Sequence, residues 1–226
     1  MNGTHTLLFS DVHLGSPVSR AYEVLSALKE YRFKKLIING DMFEDLNFEK
    51  LTSTHWELLE HIGKLSRRDV EVVWIAGNHD AKFAKIMAYL IGIPVHDEHI
   101  WQIGSRRFLA LHGHQFDSFM VYNAVIGKFL AVLYTTLQRM VSSVWLDWVL
   151  VSLADRWQRL SRQVADGAIE YSKKHGCDVV ICGHTHRKMT QQKADIEYYN
   201  LGCCNSMPSH FLTVSNEGIV QYREIP

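Results

Sequence analysis

Five times along this chain a short apolar run ends abruptly in a turn built from glycine, aspartate, asparagine or histidine. Thr6-Leu7-Leu8-Phe9-Ser10 stops at Asp11-Val12-His13, Leu36-Ile37-Ile38 runs into Gly40-Asp41, and Val72 to Ala76 runs into Gly77-Asn78-His79-Asp80. Further on, Arg107 to Leu111 ends at His112-Gly113-His114, and Asp178 to Cys182 ends at Gly183-His184-Thr185-His186. Runs of this length bounded by turn residues read as buried strands. Helical stretches from about Ser19 to Tyr31, Phe48 to Leu65 and Lys82 to Ile91 alternate with the first three. Strand, polar turn and helix in repetition predict a parallel sheet flanked by helices, whose ligands gather outside the carboxyl ends of the strands. The polar turns are therefore expected to share one crevice.

The remaining elements extend this plan. His99 to Ile103 and Arg107 to Leu111 bracket Gly104-Ser105, a hairpin signal. The tail reads as strands from about Ile196 to Leu201, Phe211 to Ser215 and Ile219 to Glu224, with a turn at Asn216-Glu217-Gly218. The expected fold class is α/β, with two sheets face to face and helices outside, in one domain over residues 1–226. At 226 residues one core still suffices. Within this domain the stretch from Phe119 to Val164 differs in kind, being too apolar for an ordinary surface helix. It predicts a helical insert over 118–165, in two or three helices, with breaks at Gly127 and at Ser142-Ser143. Phe119 to Leu137 has the length of a membrane span, but it carries Lys128 and Asn123 and interrupts a folded domain, so a spanning reading is set aside.

Lysine plus arginine number 24 and aspartate plus glutamate 24, so the chain has no global field of the kind that duplex-binding proteins use, and nucleic acid is not expected as a partner. Cys177, Cys182, Cys203 and Cys204 form no CxxC pair, and no signal peptide precedes the run at Thr6 to Phe9, which predicts a reducing, cytoplasmic setting. Buried free thiols are the plain reading of all four; adjacent Cys203 and Cys204 as a redox switch is the sharper alternative. The 13 histidines stand out, because histidine is the commonest metal ligand and the physiological acid or base.

Alone, none of the five motifs is specific; in order, each at a strand end, they are. Two divalent ions roughly 3.5–4 Å apart need mixed oxygen and imidazole ligands, with one carboxylate between them, and Asp41 is the natural bridge. Histidine, carboxylate and one amide suit manganese, iron or zinc, with manganese the first expectation. The absence of cysteine from the motifs argues against a closed structural zinc site. No nucleophile elbow, Walker-type phosphate loop or dinucleotide fingerprint is present.

D-x-H, G-D, G-N-H-D, H-G-H and G-H-T-H in this order resemble the calcineurin-like metallophosphoesterases, over Asp11 to His186. The resemblance implies a four-layer α-β-β-α sandwich and a metal-dependent phosphoesterase. It implies one ion on Asp11, His13, Asp41 and His186, and a second on Asp41, Asn78, His112 and His184. It gives His79 the role of general acid or transition-state donor, and Asn78 and His79 contacts to substrate. Glu44 or Asp80 would orient the His79 ring.

Within that superfamily the opening Asp11-Val12-His13-Leu14-Gly15, the closing Gly183-His184-Thr185-His186-Arg187 and the insert most resemble the UDP-2,3-diacylglucosamine diphosphatases. That implies hydrolysis of a pyrophosphate bond in a nucleotide-linked lipid, releasing UMP and a lipid phosphate beneath a helical cap. Phe119 to Val164 carries Lys128, Arg139, Arg156, Arg159 and Arg162 against Asp147 and Asp155, a basic and apolar pairing suited to an anionic amphiphile or membrane surface. Peripheral contact with the cytoplasmic face of an inner membrane follows from it. Two other readings of the insert are a cover for the sheet and a dimer interface, and the alternative substrates are soluble nucleotides or other small phosphoesters. His79 stands where several diphosphatases have arginine, His114 where many have aspartate, and Asn200-Leu201-Gly202-Cys203-Cys204 where their tail often reads N-T-G-D-W. Asp117, three residues after His114, contacts a sugar or a residue of the cap, or else caps the next helix.

Overall fold

A computed structural model describes residues 2–225 apart from 46, 82–83 and 118–143. The apolar runs form a six-stranded sheet in which β2 (Thr6–Phe9), β4 (Lys35–Asn39), β5 (Glu71–Ile75) and β6 (Val95–His96) lie parallel. Beyond β2, β12 (Ser209–Val214) and β13 (Val220–Ile225) add antiparallel strands. A second, five-stranded sheet has the order β10 (Met189–Lys193), β11 (Ile196–Asn200), β9 (Val179–Cys182), β8 (Arg106–Leu111), β7 (Glu98–Ile103). A short parallel pair joins β1 (Asn2–Gly3) to β3 (Tyr31–Arg32).

Period-two alternation sorts each strand between two cores. Leu8, Ile37, Val73 and Ile75 face Trp101, Phe108, Ala110, Val179 and Ile181 across the gap between the sheets. Leu7, Phe9, Leu36, Ile38, Val72 and Trp74 point the other way, onto α1 (Ala21–Glu30) and α2 (Ser53–Ser66) through Val24, Leu25, Leu28, Leu58 and Ile62. Leu109, Leu111, Val180 and Tyr198 pack on Ala165, Ala168 and Ile169 of α4 (Val144–Lys174). α3 (Ala84–Ile91) follows the Gly77–Asp80 turn. The result is the four-layer α-β-β-α sandwich expected from the resemblance, and both strand sets read as continuous apolar runs because both faces are covered.

Several boundaries differ from expectation for local reasons. The second helix starts at Ser53 and not at Phe48, because Phe48–Lys50 makes a separate 3-10 turn and Thr52 caps α2. Its hydroxyl accepts from the His55 amide at 3.4 Å while His55 Nδ1 accepts from the Thr52 amide at 3.2 Å, a reciprocal capping box. β10 was not anticipated, since Met-Thr-Gln-Gln-Lys offers no apolar run; it forms as an edge strand, antiparallel to β11. Residues 118–143 of the expected insert, with Gly127 and the Ser142-Ser143 pair, lie outside the described residues. From Val144 the chain is one helix that continues past 165 to Lys174. Among the described residues no helix is long and apolar enough to cross a membrane.

Candidate metal centre

The five turns meet at one end of the two sheets, tied together by main-chain bonds that extend the ladders beyond the strands. The amides of Asp11, His13 and Leu14 donate to the carbonyls of Gly40, Asp41 and Met42 at 3.1, 3.1 and 2.8 Å. Gly183 N donates to His112 O at 3.0 Å, and Cys204 N to Asp11 O at 3.1 Å. Asn39, buried at the end of β4, sends its side-chain amide across to Leu111 O and Ile181 O at 3.1 and 3.4 Å, joining the sheets under the site. Gly77 has no room for a Cβ, which would collide with the backbone nitrogen and Oδ1 of Asp41.

Backbone conformation marks the same residues. Among the described residues, six that are not glycine have positive φ: Asp11 (54°), His13 (51°), Asp41 (49°), His184 (67°), His186 (54°) and Ala194 (53°). Five of the six are ligands implied by the resemblance. L-residues in this region cost roughly 1–2 kcal/mol each, a cost that glycine would avoid.

The first donor group is Asp11, His13 and His186, whose ligand atoms all lie within 4.8 Å of one another. His186 Nε2 is 3.1 Å from Asp11 Oδ1 and 3.2 Å from His13 Nε2, and His13 Nε2 is 3.9 Å from Asp11 Oδ1. Asp11 is fully buried, yet its Oδ1 has no aligned hydrogen-bond donor. A buried carboxylate oxygen and two imidazole nitrogens this close together could hold a cation.

The second group is Asp41, His112 and His184. His112 Nε2 lies 3.3 Å from Asp41 Oδ2 and 3.2 Å from Asn78 Oδ1, and His184 Nδ1 lies 2.9 Å from the same Asn78 oxygen. The far nitrogen of His112, Nδ1, donates to Asn39 O at 2.8 Å. Asp41 Oδ1 accepts the His79 amide at 2.8 Å.

Proton affinities show how strongly the pocket calls for positive charge. Burial alone would lower His112, but the Asp41 carboxylate overrides it and raises the imidazole to about 9. Asp41 itself, although burial would raise it, is held below the usual carboxylate range by His112. Burial would likewise lower His186, but Asp11 outweighs it and raises the imidazole well above its ordinary value, while His186, against burial, lowers Asp11. Burial and then the neighbouring Asp41 push Asp80 up to about 6. His114 is lowered to about 4 by burial and by His112, leaving it a neutral ring beside the ligands.

All seven residues read as ligands are brought to this end of the molecule, with Asp41 grouped beside His112 and His184. His79 stands at the rim, its ring edge-on to His13 with centroids 4.9 Å apart, and its Nδ1 donates to the main-chain carbonyl of Glu44 at 2.9 Å. Of the two candidates for orienting this ring, Glu44 does so, through its backbone. Asp80 instead accepts the Gly77 and Met42 amides at 2.7 and 2.8 Å, locking two turns together. The Glu44 carboxylate turns to His13, with Oε2 2.8 Å from Nδ1. Asp117 is buried, with Oδ2 2.9 Å from His184 Nε2. Neither contact was foreseen; the G-D-x-x-E spacing of Glu44 was a usable signal, whereas Asp117 sits opposite a residue 67 positions away. All four cysteines are free and buried; Cys203 faces Ser206 Oγ at 3.0 Å.

Residues 4–188 match a family model described as calcineurin-like phosphoesterase. Among solved structures, an archaeal phosphodiesterase shares 16% identity with a TM-score of 0.52, covering 97% of this chain and 98% of its own. A hypothetical protein of Pyrococcus horikoshii shares 13% identity with a TM-score of 0.53, covering 99% and 88%. A phosphoesterase of E. coli shares 14% identity with a TM-score of 0.49, covering 98% and 99%. The likeness to the first two establishes a shared fold. A comparison with curated proteins finds no match.

Proposed function

The chain belongs to the calcineurin-like phosphoesterase family and is a metal-dependent hydrolase of phosphoester bonds; we propose that it works with two ions and cleaves a phosphodiester or pyrophosphate. The observation that carries this reading is the pair of donor groups, Asp11-His13-His186 and Asp41-His112-His184, with Asn78 facing the second. Asp41 is the residue we assign between them. These residues would hold two divalent ions, manganese before iron or zinc, which would supply Lewis acidity to the phosphoryl oxygens and activate water near neutral pH. The chain's own part is orientation and proton handling. With Nδ1–H given to Glu44 O, His79 turns Nε2 to the site; in the imidazolium form that nitrogen carries the proton that a phosphoryl or leaving-group oxygen would accept.

A cleft of about 750 Å³ opens beside Glu44, lined by Gly15, Ser16, Tyr22, Lys50 and Thr52 among others. Lys50 is the one lysine or arginine in its described lining, and Asp45 holds its ammonium. This lining suits an uncharged polar substituent, such as a sugar, better than a chain of further phosphates. It favours a diester or pyrophosphate carrying such a group, and a nucleotide-linked lipid such as UDP-2,3-diacylglucosamine combines that group with the apolar, basic insert. Soluble diesters are the competing class.

The test is hydrolysis of UDP-2,3-diacylglucosamine, bis(p-nitrophenyl) phosphate and p-nitrophenyl phosphate with manganese and detergent. We expect Asp41→Ala and His112→Ala to abolish turnover and lower metal content, and His79→Ala to keep its metal while losing about 10²–10⁴ in rate. An active Asp41→Ala protein refutes the two-ion reading. Turnover of the soluble esters alone refutes the lipid.

A further inference from the structure

The two-ion reading leaves one fully enclosed carboxylate without a task. Asp117 is 1% exposed and its Oδ2 lies 2.9 Å from His184 Nε2 in hydrogen-bond alignment. A carboxylate only accepts, so in a neutral His184 ring the proton sits on Nε2 and the lone pair on Nδ1. That lone pair points at Asn78 Oδ1, another acceptor, 2.9 Å away. The same oxygen is approached at 3.2 Å by His112 Nε2, whose ring has its proton committed to Asn39 O through Nδ1. With both rings neutral, as metal ligands are, these acceptors converge with no proton between them, and a bound cation would satisfy all three.

We propose that Asp117 is the positioning residue of this half of the centre, holding His184 in the Nε2–H tautomer so that Nδ1 becomes its metal donor. The assignment rests on the two-ion reading. Asn39 O performs the same service for His112, so each imidazole facing Asn78 has its second nitrogen fixed by an acceptor behind it. Ligating histidines are held in this way so that their rings and tautomers are set before the ion arrives, and a carboxylate also raises the basicity of the donor nitrogen.

The local structure holds Asp117 firmly. It closes a 3-10 turn, His114–Phe116, its own amide donating to His114 O at 3.1 Å. Phe116 beds against Gly167 of α4, where a Cβ would come within 2.9 Å of the ring. Gln163 Nε2, also on α4, donates to Phe116 O at 3.0 Å. The long helix thus fixes the carboxylate that fixes the ligand, with Asp117 behind the His184 ring.

Metal-free wild-type, Asp117→Asn and Asp117→Ala proteins are titrated with Zn²⁺ by calorimetry, with ion content counted independently. Wild type is expected to bind two ions. Asp117→Ala is expected to weaken one of them about 10–100-fold and leave the other at its wild-type Kd, with Asp117→Asn, which keeps an acceptor oxygen, falling in between. Long-range ¹H–¹⁵N correlation on zinc-loaded wild type, labelled at histidine, reads the His184 tautomer directly and needs no variant to fold. Nε2–H is expected. Nδ1–H on His184, or unchanged affinity for both ions in both variants, overturns the assignment of Asp117 alone. Wild type that binds fewer than two ions overturns the two-ion reading together with it.

Discussion

At the scale of single residues, the identity of the ligands and the shape of the backbone that carries them pull in opposite directions. His186 has a φ of 54°. At an ordinary position glycine is less stable than alanine by roughly 0.5–1 kcal/mol, because it loses more chain entropy on folding. In the left-handed region the order reverses, since alanine keeps the Cβ clash that histidine suffers and glycine does not. His186→Gly is therefore expected to be more stable than His186→Ala by about 1 kcal/mol in metal-free protein, as read by urea unfolding. Alanine emerging as the more stable of the two would show that the strain is absent. The ligand types at Asp11, His13, Asp41, His184 and His186 were legible because chemistry restricts them to a few residues in short motifs. Their left-handed conformation was not, because even with several-fold enrichment only a small share of aspartates and histidines adopt it, and nothing in a sequence separates a strained histidine from a relaxed one.

At the scale of elements, the buried runs and the turns that end them were readable, because a strand covered on both faces has no polar alternative. The edge strand β10 and the 3-10 turn before α2 were not, because their sequences are polar and pairing or capping partners decide them. Tertiary packing of this kind also produces a titration that no sequence announces. His99 on β7 stacks on Trp101 at 5.7 Å, and Lys35 on β4 donates to its Nε2 at 3.0 Å. Burial, and then the Lys35 charge, lower its pKa from 6.5 to about 4. The folded ring therefore refuses a proton that the unfolded chain accepts. Its contribution is fully present above pH 6.5 and is lost as pH falls toward 4, on the order of 3 kcal/mol in total and about 2 by pH 5. His99→Gln keeps an acceptor for Lys35 without titrating, so its stability by urea unfolding should fall less than that of wild type between pH 7.5 and pH 5. Parallel declines in the two proteins would mean that His99 does not carry this dependence.

At the scale of the whole molecule, the centre joins both sheets, since Asp11, Asp41 and Asn78 follow strands of one sheet and His112, His184 and His186 follow strands of the other. Without cations this end of the sandwich holds Asp11 and Asp41 buried beside strained loops, answered by protons on His112 and His186 and by the amides of His184 and His79. Ions that bind the folded chain stabilise it by mass action, about 2.7 kcal/mol for one site at a hundredfold excess over Kd. For a chain of this length that corresponds to a rise in Tm of roughly 5–10 °C. Chelation is accordingly expected to lower the wild-type Tm by that amount or more, reversibly on adding manganese. Asp41→Ala, lacking the carboxylate we assign to both ions, should melt at nearly the same temperature with and without chelator. Because the ligands span both sheets, the loss should appear as a shift of the whole transition and not as the early melting of one part. A biphasic melt after chelation would mean that the ions secure the loops alone, and that the sheets are held together by their shared apolar layer without them.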